Sequence, residues 1–187
     1  MKIYTKSGDK GKTSIIGGQR MEKSSARVCA YGSIDEVNAW VGLLLSELDT
    51  TLFAKLKEQL IELQVLLFDI GTDLATPAGV KDMIVGQAEV AAVEKMIDFY
   101  QEQVPPVEKF VLPGGHVAAS HCHIARTVIR RAEREMTALM LEDAEINVFA
   151  YKFINRLSDL FFVFARYINH VYHIEEPFYE RAGKVFH

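Results

Sequence analysis

Cysteine is scarce in this 187-residue chain: Cys29 and Cys122 stand alone, with no Cys-x-x-Cys pair. That excludes a disulfide framework and a cysteine zinc site, and it predicts a reducing, cytoplasmic environment. No apolar run reaches the ~18 residues of a spanning helix, so a spanning helix is excluded and no membrane partner is expected. The opening residues, MKIYTKSGDKGK, carry charge but none of the apolar stretch a secretory signal needs. Metal and nucleophile motifs are missing too. There is no HExxH, no glutamate three residues before a histidine and no GxSxG. His121, Cys122 and His123 are consecutive and on a helix would point in different directions. A dedicated protein cage for a metal is therefore not expected. Disorder is excluded as well, because 49% of the residues are hydrophobic and 25% charged, ordinary values for a folded domain.

The net charge of −4 is unevenly spread. Residues 1–27 hold seven bases (Lys2, Lys6, Lys10, Lys12, Arg20, Lys23, Arg27) against Asp9 and Glu22, a balance of +5 that leaves −9 for the rest. An acidic body lacks the broad basic face that nucleic-acid binding requires. The basic start is either a solvated tail or a seat for a small polyanion.

Residues 1–24 are rich in Gly, Lys, Ser and Thr and predict an ordered loop or short strand pieces. From Ser25 the period becomes helical, with Val28, Tyr31, Ile34, Val37, Val41, Leu44, Leu45 and Leu48 at three- and four-residue steps. A second helix carries Leu52, Leu56, Leu60, Leu63, Leu67, Ile70 and Leu74, and ends near Thr76-Pro77. A third is predicted over Gln87–Gln103, stopped by Pro105-Pro106. A short extended piece, Lys109–Leu112, runs into Pro113-Gly114-Gly115. A fourth helix is predicted over Val117–Leu141 and a fifth over Asn147–His173, the last apolar almost all round and hence buried on most faces. The expectation is one all-α domain over 1–187, a five-helix bundle (25–187) with an ordered N-terminal Gly/Lys loop (1–24).

Four segments invite a chemical reading. Thr5-Lys6-Ser7-Gly8-Asp9-Lys10-Gly11-Lys12-Thr13-Ser14 fails the P-loop pattern, because Lys6 stands where its first glycine should be. Its glycine N–H groups, lysines and hydroxyls nonetheless suit a phosphate; a flexible surface loop is the alternative. Arg126, Arg130 and Arg134, four residues apart, project from one face of the fourth helix with Glu133 nearby. Forked guanidiniums fit phosphate geometry. The competing reading is a solvated face balanced by Glu133 and Glu135. In the fifth helix Asn155-Arg156 and Ser158-Asp159 interrupt an apolar run, and Asp35, Glu36 and Asn38 do so in the first. Such groups need partners, in a functional site or in a structural network.

Taken together, five segments resemble the PduO-type ATP:cob(I)alamin adenosyltransferases along nearly the whole chain. They are Tyr4–Thr13, Ala30-Tyr31-Gly32-Ser33-Ile34-Asp35-Glu36-Val37-Asn38, Phe110-Val111-Leu112-Pro113-Gly114-Gly115, His123–Arg134 and Asn155-Arg156-Leu157-Ser158-Asp159. The resemblance implies a homotrimer with sites between subunits, and ATP, Mg²⁺ and a corrinoid as ligands. It implies transfer of the 5′-deoxyadenosyl group to cob(I)alamin with release of triphosphate. By similarity, Thr5, Lys6, Ser7, Gly8, Asp9, Lys10, Gly11, Thr13, Ser14 and Lys23 would wrap the triphosphate. Arg126, Arg130, Arg134, Glu133 and Asn155 would orient ATP and its metal, with Mg²⁺ carried on the phosphates and helped by Glu133. Asp35 would pair with Arg126 across the interface.

The resemblance also assigns Asn38, Phe110, Phe162 and Phe186 to cobalamin, with Phe110 beneath the corrin, and makes Phe110, Asp35, Arg126 and Arg130 the catalytic set. An apolar ring offers cobalt no lone pair, so it would exclude the lower ligand and ease reduction of cob(II)alamin to the cob(I)alamin nucleophile. A reductase and an adenosylcobalamin-dependent enzyme are the implied partners. Ser7 and Cys122 depart mildly from the family pattern, and His121 is unusual there. The same ligands would also serve a non-catalytic corrinoid carrier or an ATP-sensing bundle. That reading is disfavoured by the presence together of Asp35, Phe110, Arg126 and Arg130.

Overall fold

The computed structural model describes residues 2–142 and 145–181. A two-stranded antiparallel hairpin, β1 (Lys12–Ser14) and β2 (Arg20–Glu22), precedes five helices: α1 (Ala26–Glu47), α2 (Ala54–Ala75), α3 (Gln87–Gln101), α4 (Val117–Glu142) and α5 (Val148–Val171). Helix α1 packs on α2 and α4, α4 on α5, and α5 on α3, so the main packing runs α2–α1–α4–α5–α3. The predicted apolar stripes form the core: Val37, Val41 and Leu44 from α1 meet Leu60, Leu67 and Ile70 from α2 and Ile129 and Met136 from α4. Helix α5 buries Phe153, Leu157, Phe161 and Phe164, in keeping with its nearly continuous apolar surface.

Helix α3 stops at Gln101, two residues before the predicted Gln103. The chain tightens there, Gln103 N–H donating to Tyr100 O and Val104 N–H to Gln101 O. Val104 precedes Pro105, and a residue before proline is pushed out of the helical region.

Buried polar side chains tie the helix ends together. Arg27 donates to Leu74 O at 2.6 Å and to Thr76 O at 3.3 Å, a cation on the C-terminal carbonyls of α2. Asp73 accepts the N–H groups of Ile84 (2.8 Å) and Val85 (3.0 Å) and the amide of Asn147 (2.6 Å). Asn147 in turn caps α5 by accepting from Phe149 N–H and Ala150 N–H. One carboxylate thus fixes the α2–α3 loop against the start of α5.

The hairpin is tied to the bundle through its turn. β1 pairs with β2 in the register Lys12↔Glu22, Thr13↔Met21, Ser14↔Arg20. Gly17 and Gly18 make the turn at φ +88° and +84°, where a Cβ would be strained. Ile16 N–H then donates to Ala75 O at the end of α2. The extended piece around Phe110 also finds a partner. Val111 bridges Phe178, Leu112 N–H donates to Pro177 O and Tyr179 N–H to Phe110 O.

Candidate functional site

On α4 the i, i+4, i+8 spacing sets Arg126, Arg130 and Arg134 in a row, Arg126 half-buried and the other two exposed. The acids expected to balance this face turn elsewhere. Glu135 accepts from the Ser33 hydroxyl on α1, and Glu133 accepts from the Asn155 amide at 2.7 Å. Arg131, the remaining base of the segment, is taken by Glu36. Among the described residues no salt bridge engages Arg126, Arg130 or Arg134.

Arg126 bears the cost of that arrangement. Its Nε is buried without a hydrogen-bond partner. Burial lowers the guanidinium pKa, Arg130 lowers it further, and Asp159 on α5 opposes both. The Asp159 carboxyl is pushed up by burial, an effect countered by the charges of Arg156, Arg130 and Arg126. Such a face is short of negative charge and suited to an anion. The polar interruption of α5 serves it in part. Asn155 holds Glu133 and accepts from Arg156, whereas Arg156 itself turns to Glu94 on α3 at 3.2 Å.

Asp35 and Asn38 lie elsewhere, in a groove of about 330 Å³ between α1 and α2, beside Ile16, Tyr31, Phe68 and Gly71. Asn38 donates to Gln64 O at 3.1 Å, while its own Oδ1 is buried without a partner. Within one chain Asp35 makes no hydrogen bond or ion pair with Arg126 among the described residues. The groove also takes in Ile16, so the turn that follows β1 belongs to this second set rather than to the arginine face.

The N-terminal loop is shaped by local contacts. Lys6 sits at φ +59° and Gly11 at φ +76°. The Thr5 and Ser7 hydroxyls are 2.7 Å apart, and Arg20 donates to Ser7 O at 2.7 Å. Lys23 folds back through its N–H to Gly11 O, and its Nζ lies so close to Gly8 that an added Cβ would stand 3.0 Å away. Asp9, Lys10, Thr13 and Ser14 follow on the same exposed turn and first strand. Arg20 was not expected to take part; its register opposite Ser14 is the signal that would have shown it.

The aromatic candidates separate as well. Phe110 is half exposed on its short strand, and Phe162 lies partly buried in the groove that α5 shares with α3, beside Asp159. Phe186 lies outside the described residues. Sequence reasoning missed His123, one turn before Arg126. It is 4% exposed, both ring nitrogens lack partners, and its ring centroid is 6.4 Å from that of Phe162. It borders a small cavity with Pro113 and Gly114, just beyond Phe110. Burial and then the charge of Arg126 lower its pKa to about 4, so it is neutral at pH 7. The i, i+3 spacing to Arg126 was a readable signal.

The chain matches a family model described as cobalamin adenosyltransferase over residues 3–168. It is similar to a corrinoid adenosyltransferase of Bacillus subtilis, 46% identical over 187 residues that span 100% of this chain and 96% of that protein. A cobalamin adenosyltransferase of Cupriavidus metallidurans is 39% identical over 168 residues, covering 90% of this chain and 88% of that one. A solved structure of a variant PduO-type ATP:corrinoid adenosyltransferase from Lactobacillus reuteri, complexed with cobalamin and ATP, has a TM-score of 0.95 and 46% identity. It covers 99% of this chain and 100% of its own.

Proposed function

The chain belongs to the cobalamin adenosyltransferase family, and from that premise we propose how its ATP:corrinoid adenosyltransferase activity is shared among the residues above. The observation that carries the assignment is the arginine face, whose Arg126 Nε is buried and unpartnered while its neighbouring acids are engaged elsewhere. Arg126, Arg130 and Arg134 bind ATP there, and the N-terminal loop with Lys23 wraps the triphosphate through N–H groups, hydroxyls and ammonium.

The site is completed by a second copy of the chain, in a homotrimer. Asp35 of one subunit pairs with Arg126 of the next, which satisfies the charge that Arg126 lacks within its own chain. Support comes from the exposed carboxylate of Asp35 and from the apolar stripe of Ile61, Val65 and Phe68 on α2, 54%, 60% and 68% exposed. Contiguous exposed apolar surface of this kind is characteristic of subunit contacts.

Mg²⁺ suits this site as an ion carried on phosphate. Among the described residues no three His, Cys, Asp or Glu side chains converge on a cage. Mg²⁺ is commonly held by one or two carboxylates together with substrate phosphates and water. Glu133, with one oxygen held by Asn155, is the carboxylate for it. When bound, the ion neutralises polyphosphate charge.

The chemistry needs positioning and no protein nucleophile. The Co(I) electron pair forms a bond to the ribose C5′ of ATP. The C5′–O bond breaks, and triphosphate leaves with that bond's electrons onto the arginine and lysine charges. Phe110 sits beneath the corrin, excluding a lower ligand so that cob(II)alamin is more readily reduced. Phe162 and Phe186 close the pocket, and Asn38 binds the corrinoid. A reductase supplies the electron, an adenosylcobalamin-dependent enzyme takes the product, and the setting is cytoplasmic.

An anaerobic mixture of protein, Mg-ATP and cob(I)alamin tests the activity. Conversion to adenosylcobalamin with one triphosphate per product is expected; binding of both ligands without conversion would overturn it in favour of a carrier.

A further inference from the structure

The segment that bears Phe110 is held by a buried polar network of α5 that touches neither the arginine face nor the groove of Asp35. Asn169 is 2% exposed and Arg166 6%. The Asn169 side chain accepts from His116 N–H at 2.9 Å and donates to Gly114 O at 3.1 Å. Gly115 packs against the same amide: an added Cβ would lie 2.2 Å from Asn169 Oδ1, and its φ of +100° already demands glycine. Arg166 donates to Pro105 O at 2.9 Å. The segment is therefore pinned at both ends, at Pro105 before Phe110 and at Gly114–His116 after it.

Its middle is held by the chain that follows α5. Leu112 N–H donates to Pro177 O at 2.9 Å and Tyr179 N–H to Phe110 O at 2.8 Å. That strap is in turn fixed to the same network. Glu176 bonds Arg166 Nε at 3.0 Å and accepts from Asn169 at 3.4 Å. A charge pair this buried costs desolvation unless its hydrogen bonds are met, and a network of this kind specifies one arrangement rather than adding much stability.

We propose that Asn169, Arg166 and Glu176 are positioning residues that set the height and orientation of Phe110 toward the corrinoid without touching it. This rests on the reading of Phe110 as the ring beneath the corrin. If that ring excludes a lower cobalt ligand, a displaced strand lets a ligand back in.

The test measures four-coordinate cob(II)alamin by electron paramagnetic resonance in full-length protein with Mg-ATP bound. The variants are Glu176→Gln, which keeps shape and removes the charge, and Asn169→Asp, which keeps the acceptor for His116 and loses the donor to Gly114. Phe110→Ala is the control, and ATP affinity is measured on every sample. The four-coordinate fraction should fall about fivefold in both positioning variants, the shift expected from one lost hydrogen bond of ordinary net strength, with ATP affinity unchanged. A low signal in Phe110→Ala and a wild-type signal in both positioning variants would overturn the positioning role while leaving Phe110 in place. A wild-type signal in Phe110→Ala would overturn the reading of Phe110 and this proposal with it. A parallel loss of ATP affinity in both variants would mark the network as general scaffolding and overturn its specific role.

Discussion

Acidification should destabilise this protein through His123 in particular. The imidazole is buried with neither nitrogen satisfied, and its pKa falls from 6.5 to about 4, first because burial disfavours the cation and second because Arg126 is one turn away. Between those two values the unfolded chain binds the proton that the folded chain refuses, so stability is present above pH 6.5 and is lost as pH falls toward 4. With ~1.4 kcal/mol per pKa unit, about 2 kcal/mol disappears between pH 7 and pH 5, and about 3 kcal/mol by pH 4. Urea unfolding of the wild type and of His123→Leu at fixed protein concentration, from pH 7 to pH 4.5, isolates this group from the carboxylates both proteins share. The wild type should lose about 2 kcal/mol more than the variant over that range. Parallel loss in the two proteins would refute the argument and show that the imidazole finds a partner.

Arg130→Ala should lower kcat/KM for ATP by about 30-fold or more, the loss of one charge-assisted contact worth ~2 kcal/mol, with the thermal midpoint unchanged because Arg130 is exposed and makes no salt bridge among the described residues; steady-state kinetics and calorimetry check both halves. Asp73→Ala strands two loop N–H groups and the Asn147 amide, and should cost about 3 kcal/mol and roughly 10 °C of melting temperature. Chelation of Mg²⁺ should abolish activity and added Mg²⁺ restore it. Glu133→Gln should then need about tenfold more Mg²⁺ for half-maximal rate, and an unchanged requirement would remove Glu133 from the metal's surroundings.

The helices were legible because their cores are built from local periods: the leucines of α2 and the phenylalanines of α5 declare their faces without reference to anything distant. The arginine row was legible for the same reason. What it faces was not, because that depends on where Glu133 and Glu135 turn, and each answers to a partner on another helix, Asn155 and Ser33. The strand around Phe110 read as extended, but its pairing with Pro177–Tyr179 joins segments more than sixty residues apart with no alternating pattern to announce it. His123 looked like one member of a His-Cys-His run; only packing reveals an imidazole stranded between Phe162 and Arg126. The expected meeting of Asp35 and Arg126 is not made inside one chain, since the one lies between α1 and α2 and the other beside α5.

That separation makes subunit complementation the most direct test of the account. Asp35→Asn and Arg126→Ala, each inactive alone, are co-expressed with different tags, and the mixed assemblies are purified and assayed with Mg-ATP and cob(I)alamin. If each site takes Arg126 from one subunit and Asp35 from its neighbour, every mixed trimer keeps about one intact site in three. The mixed protein should recover about a third of wild-type activity. Mixed assemblies no more active than the separate variants would contradict a site shared between subunits.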